Sequence, residues 1–338
     1  LAGARASYEA ALPIYRAIGD RLGEANTLQG FGDERIAAGE PEAALQRYAA
    51  AQAIYEQIRD RYSQGLNLIR MARAEQALGR SGDAMAHLAA AARLADAIQD
   101  RRLRGKALDR LAEVCDAAKN WRVLDELLDA LVAAHPEDAE LRKRRGDARY
   151  AQKRYADALA DLQAATTLNP QDAWTWNSLG NALESLERYD EAIAAYSQAI
   201  ALRPDEALLY RNRADVLLDL GRADEAEADV ARAVELDPEH PYTRGRQGWL
   251  ALARGRFKEA AGHLESAAQR DDAAGWRYGL ALAQFGMGEA DRARETFAAA
   301  LPEMSDEDKA DALRWLDRVL RLKPDLASAA DALRALLR

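Results

Sequence analysis

Between residues 173 and 206, large apolar or small residues return every third or fourth position. Trp176, Leu179, Gly180 and Leu183 come first; after a polar break at Glu187 and Arg188 follow Tyr189, Ala192, Tyr196, Ala199 and Ile200. Steps of three and four put side chains on one side of an α-helix, so this spacing predicts two helices joined by a short turn, each with one buried side. Proline has no amide hydrogen to continue a helix, and Pro204 therefore closes the second one. Pro136, Pro170, Pro204 and Pro238 repeat that stop at 34-residue steps. Gly39, Gly79, Gly221, Gly255 and Gly288 stand at the turn inside each pair, where a residue free to take positive φ ends the first helix cheaply.

The same ruler covers the whole chain. Small residues stand at Gly32, Ala72, Ala112, Gly146, Gly180, Ala214, Gly248 and Ala281. A second series runs Ala44, Ala84, Leu124, Ala158, Ala192, Ala226, Ala260 and Ala293, and both advance by 40, 40, 34, 34, 34, 34 and 33 residues. A shared spacing that changes period in step marks an array of units, each packing on its neighbours, and favours an extended binding surface over an enclosed catalytic site.

Trp176, Leu179, Gly180, Tyr189, Ala192, Tyr196, Ala199 and Pro204 resemble the motif of the tetratricopeptide repeat family, and the resemblance extends over nearly the whole chain. It implies an all-α, right-handed superhelix of about eight helix pairs with capping helices at its end. Leu124 and Leu131 replace the usual small residues, which predicts a wider helix pair around 105–138. The first third is a longer variant: Asp20-Arg21, Asp60-Arg61 and Asp100-Arg101 recur at 40, with Ile18, Ile58 and Ile98 in step. Its phrase from Ile14 to Leu28 is similar to the long repeats in sensor tails of bacterial signal-transduction ATPases and in kinesin-light-chain-like proteins.

The expected organisation is a truncated unit's second helix at 1–19, long repeats at 20–104, shorter repeats at 105–304 and capping helices at 305–338. Ser305, Asp306, Glu307 and Asp308 form a helix-start signal, predicting helices at 306–322 and, beyond Pro324, 326–337. The chain opens on Leu1 rather than Met, so a longer native protein is expected.

A formal charge of −9 argues against general nucleic-acid binding, which needs a basic footprint. Cys115 is the only cysteine, which excludes an intrachain disulfide or a cysteine-based metal cluster and agrees with a cytoplasmic setting. The expected state of Cys115 is a buried small hydrophobe rather than a redox sensor. His87, His135, His240 and His263 lie in different units without a second ligand at helical spacing. The apolar runs are too short to cross a bilayer. Glycine-rich phosphate loops, His-Glu-x-x-His pairs and nucleophile elbows are absent, so the sequence predicts no enzyme, no cofactor and no metal site. Acid pairs such as Asp190-Glu191 and Asp224-Glu225 read as solvated helix starts.

The resemblance places the inner wall on the first helix of each unit. Its inward positions include Trp174, Asn177 and Asn181, then Arg211, Asn212 and Asp215, then Tyr242, Arg246 and Trp249. Aromatic anchors beside amides and guanidiniums suit an extended peptide, which needs both backbone partners and flat apolar surface. Asn181, Asn212 and Arg246 fall on three positions of the carboxylate clamp found in some members of the family; Asn177 and Tyr242 replace its two lysines. A second, mixed strip carries Arg70, Arg73, Arg110, Lys143 and Arg144 among Asp109, Glu113, Glu140 and Asp147, charges that either neutralise one another or guide an acidic segment. Trp121, Trp176 and Tyr189 are expected in the core, whereas Trp276, Tyr278 and Phe285, among four glycines, could form an apolar patch at the groove's end.

The function these residues predict is a module that binds a partner protein or peptide in its groove, as the sensor or recruitment tail of a larger bacterial signalling protein. Two alternatives are a ligand-sensing domain of a transcription regulator and a scaffold that self-associates.

Overall fold

The computed structural model describes residues 2–271 and 274–337. Leu1 and Arg338, the ends of the expected first and last segments, and the side chain of Glu307 lie outside the described part. Nineteen α-helices and no strands are found among the described residues. The chain divides into two compact units, residues 1–158 and 159–338.

The first unit holds α1 (Ala2–Ile18), α2 (Arg21–Ala37), α3 (Pro41–Gln57), α4 (Arg61–Ala77), α5 (Ser81–Ala97), α6 (Arg101–Ala118), α7 (Arg122–Ala134) and α8 (Ala139–Ala151). Consecutive helices pack on each other, most densely α2 on α3, α4 on α5 and α5 on α6. The helix α9 (Tyr155–Leu168) crosses the division between the units. The second unit continues with α10 (Ala173–Ser185), α11 (Tyr189–Leu202), α12 (Ala207–Asp219), α13 (Ala223–Leu236), α14 (Pro241–Ala253), α15 (Phe257–Arg270), α16 (Ala274–Gly286) and α17 (Ala290–Ala300). It ends with α18 (Asp306–Leu322) and α19 (Ala327–Leu336).

The repeated Asp-Arg step has a local cause. Asp20, Asp60 and Asp100 are the N-caps of α2, α4 and α6, their carboxylates accepting from the amides of Gly23, Ser63 and Leu103. Asp138 and Asp172 do the same for α8 and α10. Ser305 caps α18 in a reciprocal capping box with Asp308.

The small-residue ruler has an equally direct cause. Within single helix pairs, Gly32, Gly180 and Gly248 each face a large side chain sixteen positions later on the partner helix, Tyr48, Tyr196 and Leu264, all buried. At Gly180 an added methyl would stand 2.5 Å from the ring of Tyr196, and at Gly32 2.3 Å from Tyr48, inside any tolerable contact. The pair α6 and α7 is the sparsely packed one, with Leu124 and Leu131 buried between neighbours. Cys115 is buried there with its thiol 3.6 Å from the sulfur of Met85, and burial pushes its pKa up to about 11.

Trp121, Trp176 and Tyr189 are half-buried rather than core residues. Trp176 instead spends its indole N–H on the carbonyl of Pro170. Trp276, Tyr278 and Phe285 form no exposed patch, since all three are buried in the core of the second unit.

Candidate functional site

In the second unit the inward residues of α10, α12 and α14 are engaged with one another. Asn212 donates to Asn177 Oδ1 at 2.9 Å, which spends both amides inside the wall. Arg211 is buried and donates to Thr243 Oγ1 at 3.1 Å. Arg246 is paired with Asp215, and its guanidinium stands 5.5 Å from the ring centre of Trp276 and 5.9 Å from that of Tyr242. The hydroxyl of Tyr196 lies 2.7 Å from both Asn181 Oδ1 and Glu184 Oε2. Trp174 is half-buried under the Arg203 guanidinium, and Tyr242 remains exposed. Asn177, Arg211 and Trp249, read from sequence as contact residues, are therefore buried parts of the wall.

What buries Trp249 is the chain's own end. The expected role of residues 305–338 is to cap the last pair, and α19 does pack on α17. The helix α18, however, rests on α16 and α14, with Ala312, Trp315, Leu316 and Val319 buried. Trp315 meets Trp249 with ring centres 4.7 Å apart. Arg318 donates to the carbonyls of Leu218 and Asp219 at the end of α12, 2.7 and 3.0 Å away. Those two carbonyls belong to the last turn of a helix, where orphan acceptors and the negative dipole end favour a cation. The Tyr278 hydroxyl donates to Asp311 on α18 at 2.7 Å, and its pKa is raised by burial and by that carboxylate. A cavity of ≈ 330 Å³ persists beside α18, lined by Tyr242, Arg246, Trp276 and carboxylates including Glu184, Asp215 and Asp311. Desolvation first, and the nearby Asp215 after it, push Glu184 up to about 7; burial likewise raises Asp215 despite its pairing with Arg246.

The first unit is arranged differently. A cleft of ≈ 360 Å³ opens along α2, α4 and α6. Ile36, Leu66 and Ile69 contribute its apolar surface over the buried Leu88, and Asp33, Arg70, Arg73, Lys106 and Arg110 its charges. A second hollow of ≈ 530 Å³ continues from it over α6, sharing Lys106 and Arg110 and adding Arg101, Arg102 and Arg144. Of the strip read from sequence, Arg70 pairs with Asp33 at 3.1 Å, Arg110 with Glu113 at 2.7 Å and Lys143 with Asp147 at 2.8 Å. Arg144 pairs with Asp109 and Glu140. Arg73 has no ion-pair partner among the described residues. The clefts thus bring together Arg70, Arg73, Arg110 and Arg144, but not Lys143. Arg101, Arg102 and Lys106 escape a reading by inward positions alone. Register would have found Lys106, forty residues after Leu66, which lines the same cleft.

Among the described residues, no group of three or more His, Cys, Asp or Glu side chains is placed to hold a metal, and no helix is long and apolar enough to cross a membrane.

Comparison with known proteins agrees with this geometry. Residues 177–241 and 251–314 match models described as tetratricopeptide repeat, and residues 146–186 one described as TPR repeat. No curated protein sequence matches. Among solved structures the chain is similar to one from the APC/C hetero-tetramer Cut9-Hcn1, at 16% identity over 94% of this chain and 76% of that one, with a TM-score of 0.52. It is also similar to a tetratricopeptide repeat protein from Parabacteroides merdae, at 17% identity over 72% of this chain and 92% of that one, with a TM-score of 0.51. At such identities the likeness establishes the fold alone. Taken with the repeated helix pairs and their sixteen-residue small-to-large contacts, these matches make residues 146–241 and 251–314 of this chain tetratricopeptide repeats.

Proposed function

We propose that this chain is a protein-interaction module whose working surface is the face of α2, α4 and α6 in the first unit. One observation carries the reading: that face keeps a cleft with half-buried aliphatic residues and side-chain cations, whereas the corresponding face of the second unit is covered by α18. Exposed apolar surface rimmed by polar groups is the usual mark of a recognition site. The 40-residue register of α2, α4 and α6 supports a role as the recruitment or sensor part of a signalling protein.

Selection of displayed random peptides on the full chain tests this. Enriched peptides should lose binding to the Leu66→Ala, Ile69→Ala double variant and keep it with Trp174→Ala in the second unit. Selection that enriches nothing, or peptides indifferent to the cleft variant, would place the working surface elsewhere.

A further inference from the structure

Resting on the reading above, we infer that the cleft of the first unit takes an acidic, extended segment of a partner protein with a carboxylate at about every third residue.

The argument starts from charge. The two continuous hollows over α4 and α6 are lined by seven cations, Arg70, Arg73, Arg101, Arg102, Lys106, Arg110 and Arg144, and three carboxylates, Asp33, Asp109 and Glu113. The three carboxylates are taken up by Arg70, Arg144 and Arg110. Arg73, Arg101, Arg102 and Lys106 carry no ion pair among the described residues and are exposed. This excess stands out in a chain whose formal charge is −9. A surface that concentrates one sign within low-dielectric walls raises the local concentration of the opposite sign and steers its approach.

Register sets the spacing. Arg70 and Arg110 are forty residues apart and occupy the same position on α4 and α6; at the matching position of α2 stands Gly30, closed over by the ring of Tyr8. The ladder of cations therefore begins at α4. Packed helices lie about 8–10 Å apart, and an extended chain advances about 3.3 Å per residue. A strand crossing from α4 to α6 thus meets successive cations at about every third residue. Between them, the half-buried Leu66 and Ile69 offer apolar surface to a bulky aliphatic side chain. A helical ligand would need its acids seven residues apart, about 10.5 Å along its axis, to reach the same two cations, so the every-third-residue spacing separates an extended ligand from a helical one.

The test uses the full chain and a fluorescein-labelled peptide of about twelve residues, with Glu at every third position and Leu and Ser between, and its counterpart with Gln for Glu. Anisotropy should show the Glu peptide binding about tenfold or more tightly than the Gln peptide. That preference should weaken as salt rises through the range where the Debye length falls from about 10 to 3 Å. Arg73→Glu with Lys106→Glu, both exposed and outside the core, should abolish the preference while thermal melting stays unchanged. Equal binding of the two peptides, or a Glu preference that survives the double reversal, overturns the inference. If the displayed-peptide selection still enriches cleft-dependent neutral sequences, the interaction reading stands and only the acidic specificity falls; if it enriches nothing, both fall.

Discussion

Trp315 of α18 lies against Trp249 of α14, with ring centres 4.7 Å apart and planes inclined by 46°. This contact turns a wall residue that repeat register assigns to an open groove into part of a closed core, which also includes Tyr278, Leu316 and Val319. Replacing Trp315 with Ala removes the largest side chain that α18 inserts, and a truncation of that kind costs about 3–5 kcal/mol. The loss should be local. Hydrogen exchange should show α18 amides losing most of their protection while α3 to α6 of the first unit keep theirs. Undiminished protection in α18 would mean that Arg318 and the Tyr278 to Asp311 bond hold the helix without the indole.

The carboxylates beneath α18 give the second unit a pH dependence of defined sign. Glu184 sits among Asp215, Arg246 and Tyr196, and desolvation, followed by Asp215, raises its pKa from 4.5 to about 7. A carboxyl whose pKa is higher folded than unfolded binds its proton more tightly in the folded state. Its contribution is therefore present at pH below 4.5 and lost as pH rises through about 7. One such group changes stability by at most about 1.4 kcal/mol per pH unit. Glu184→Gln, which keeps the shape and cannot ionise, should flatten the fall in urea midpoint between pH 5 and 7.5. A parallel pair of curves for the variant and the natural chain would show that Glu184 is not the titrating group.

In the first unit the sign is opposite. Arg104 is buried between α5 and the start of α8, donating to Asp96 at 2.7 Å and to Asp138 at 2.5 Å, while His135 lies 3.1 Å from Asp96. Burial, the largest single effect, would raise both carboxyls, but the Arg104 hydrogen bonds and charge, joined by His135 at Asp96 and by the Leu141 amide at Asp138, together outweigh it and hold them below the usual range. Their contribution is present above about pH 4 and disappears as pH falls through the lowered values. Arg104→Ala leaves two carboxylates facing a buried gap and should cost about 3–5 kcal/mol. It should also shift the acid-unfolding midpoint of the first unit to higher pH. An unchanged acid limb would show that the network is hydrated and weak.

Periodicity carries information about contacts between neighbours in the array, and those were legible. The small residues Gly32, Gly180 and Gly248 follow from one helix meeting the next within a pair, and the capping aspartates from the starts of those helices. The helix expected at 306–322 has those same bounds in the structure. What periodicity lacks is any trace of a helix that leaves the repeat. The α18 sequence has no register with α14, so nothing in Trp249 or Arg211 alone distinguishes an anchor waiting for a peptide from a side chain already covered. The same limit applies to Trp276 and Tyr278: two of the glycines around them mark close approach rather than looseness, since a methyl at Gly279 would stand 2.9 Å from the Trp249 indole and one at Gly286 2.3 Å from the Phe257 ring.

Register does resolve one irregularity, and a stability test follows from it. Gly39, Gly79, Gly221, Gly255 and Gly288 all have φ between 71° and 86° at the turn inside a helix pair. Lys119, Lys153 and Glu187 fill the corresponding position of the three pairs between them, with φ of 49°, 60° and 58°. A side chain in the left-handed region costs about 1–2 kcal/mol, whereas glycine there loses only about 0.5–1 kcal/mol through its freer unfolded chain. Glu187→Gly should therefore stabilise the second unit by about 0.5–1 kcal/mol, against the usual rule that glycine weakens a helical protein. Lys119→Gly should do the same for the first unit, although it gives up the exposed Asp116 pair, which is worth little. Because the two turns are far apart in the chain and share no partner, the double variant should show the sum of the two gains in chemical unfolding. Destabilisation by Glu187→Gly would mean that its carboxylate or stem holds the turn by a contact worth more than the backbone strain.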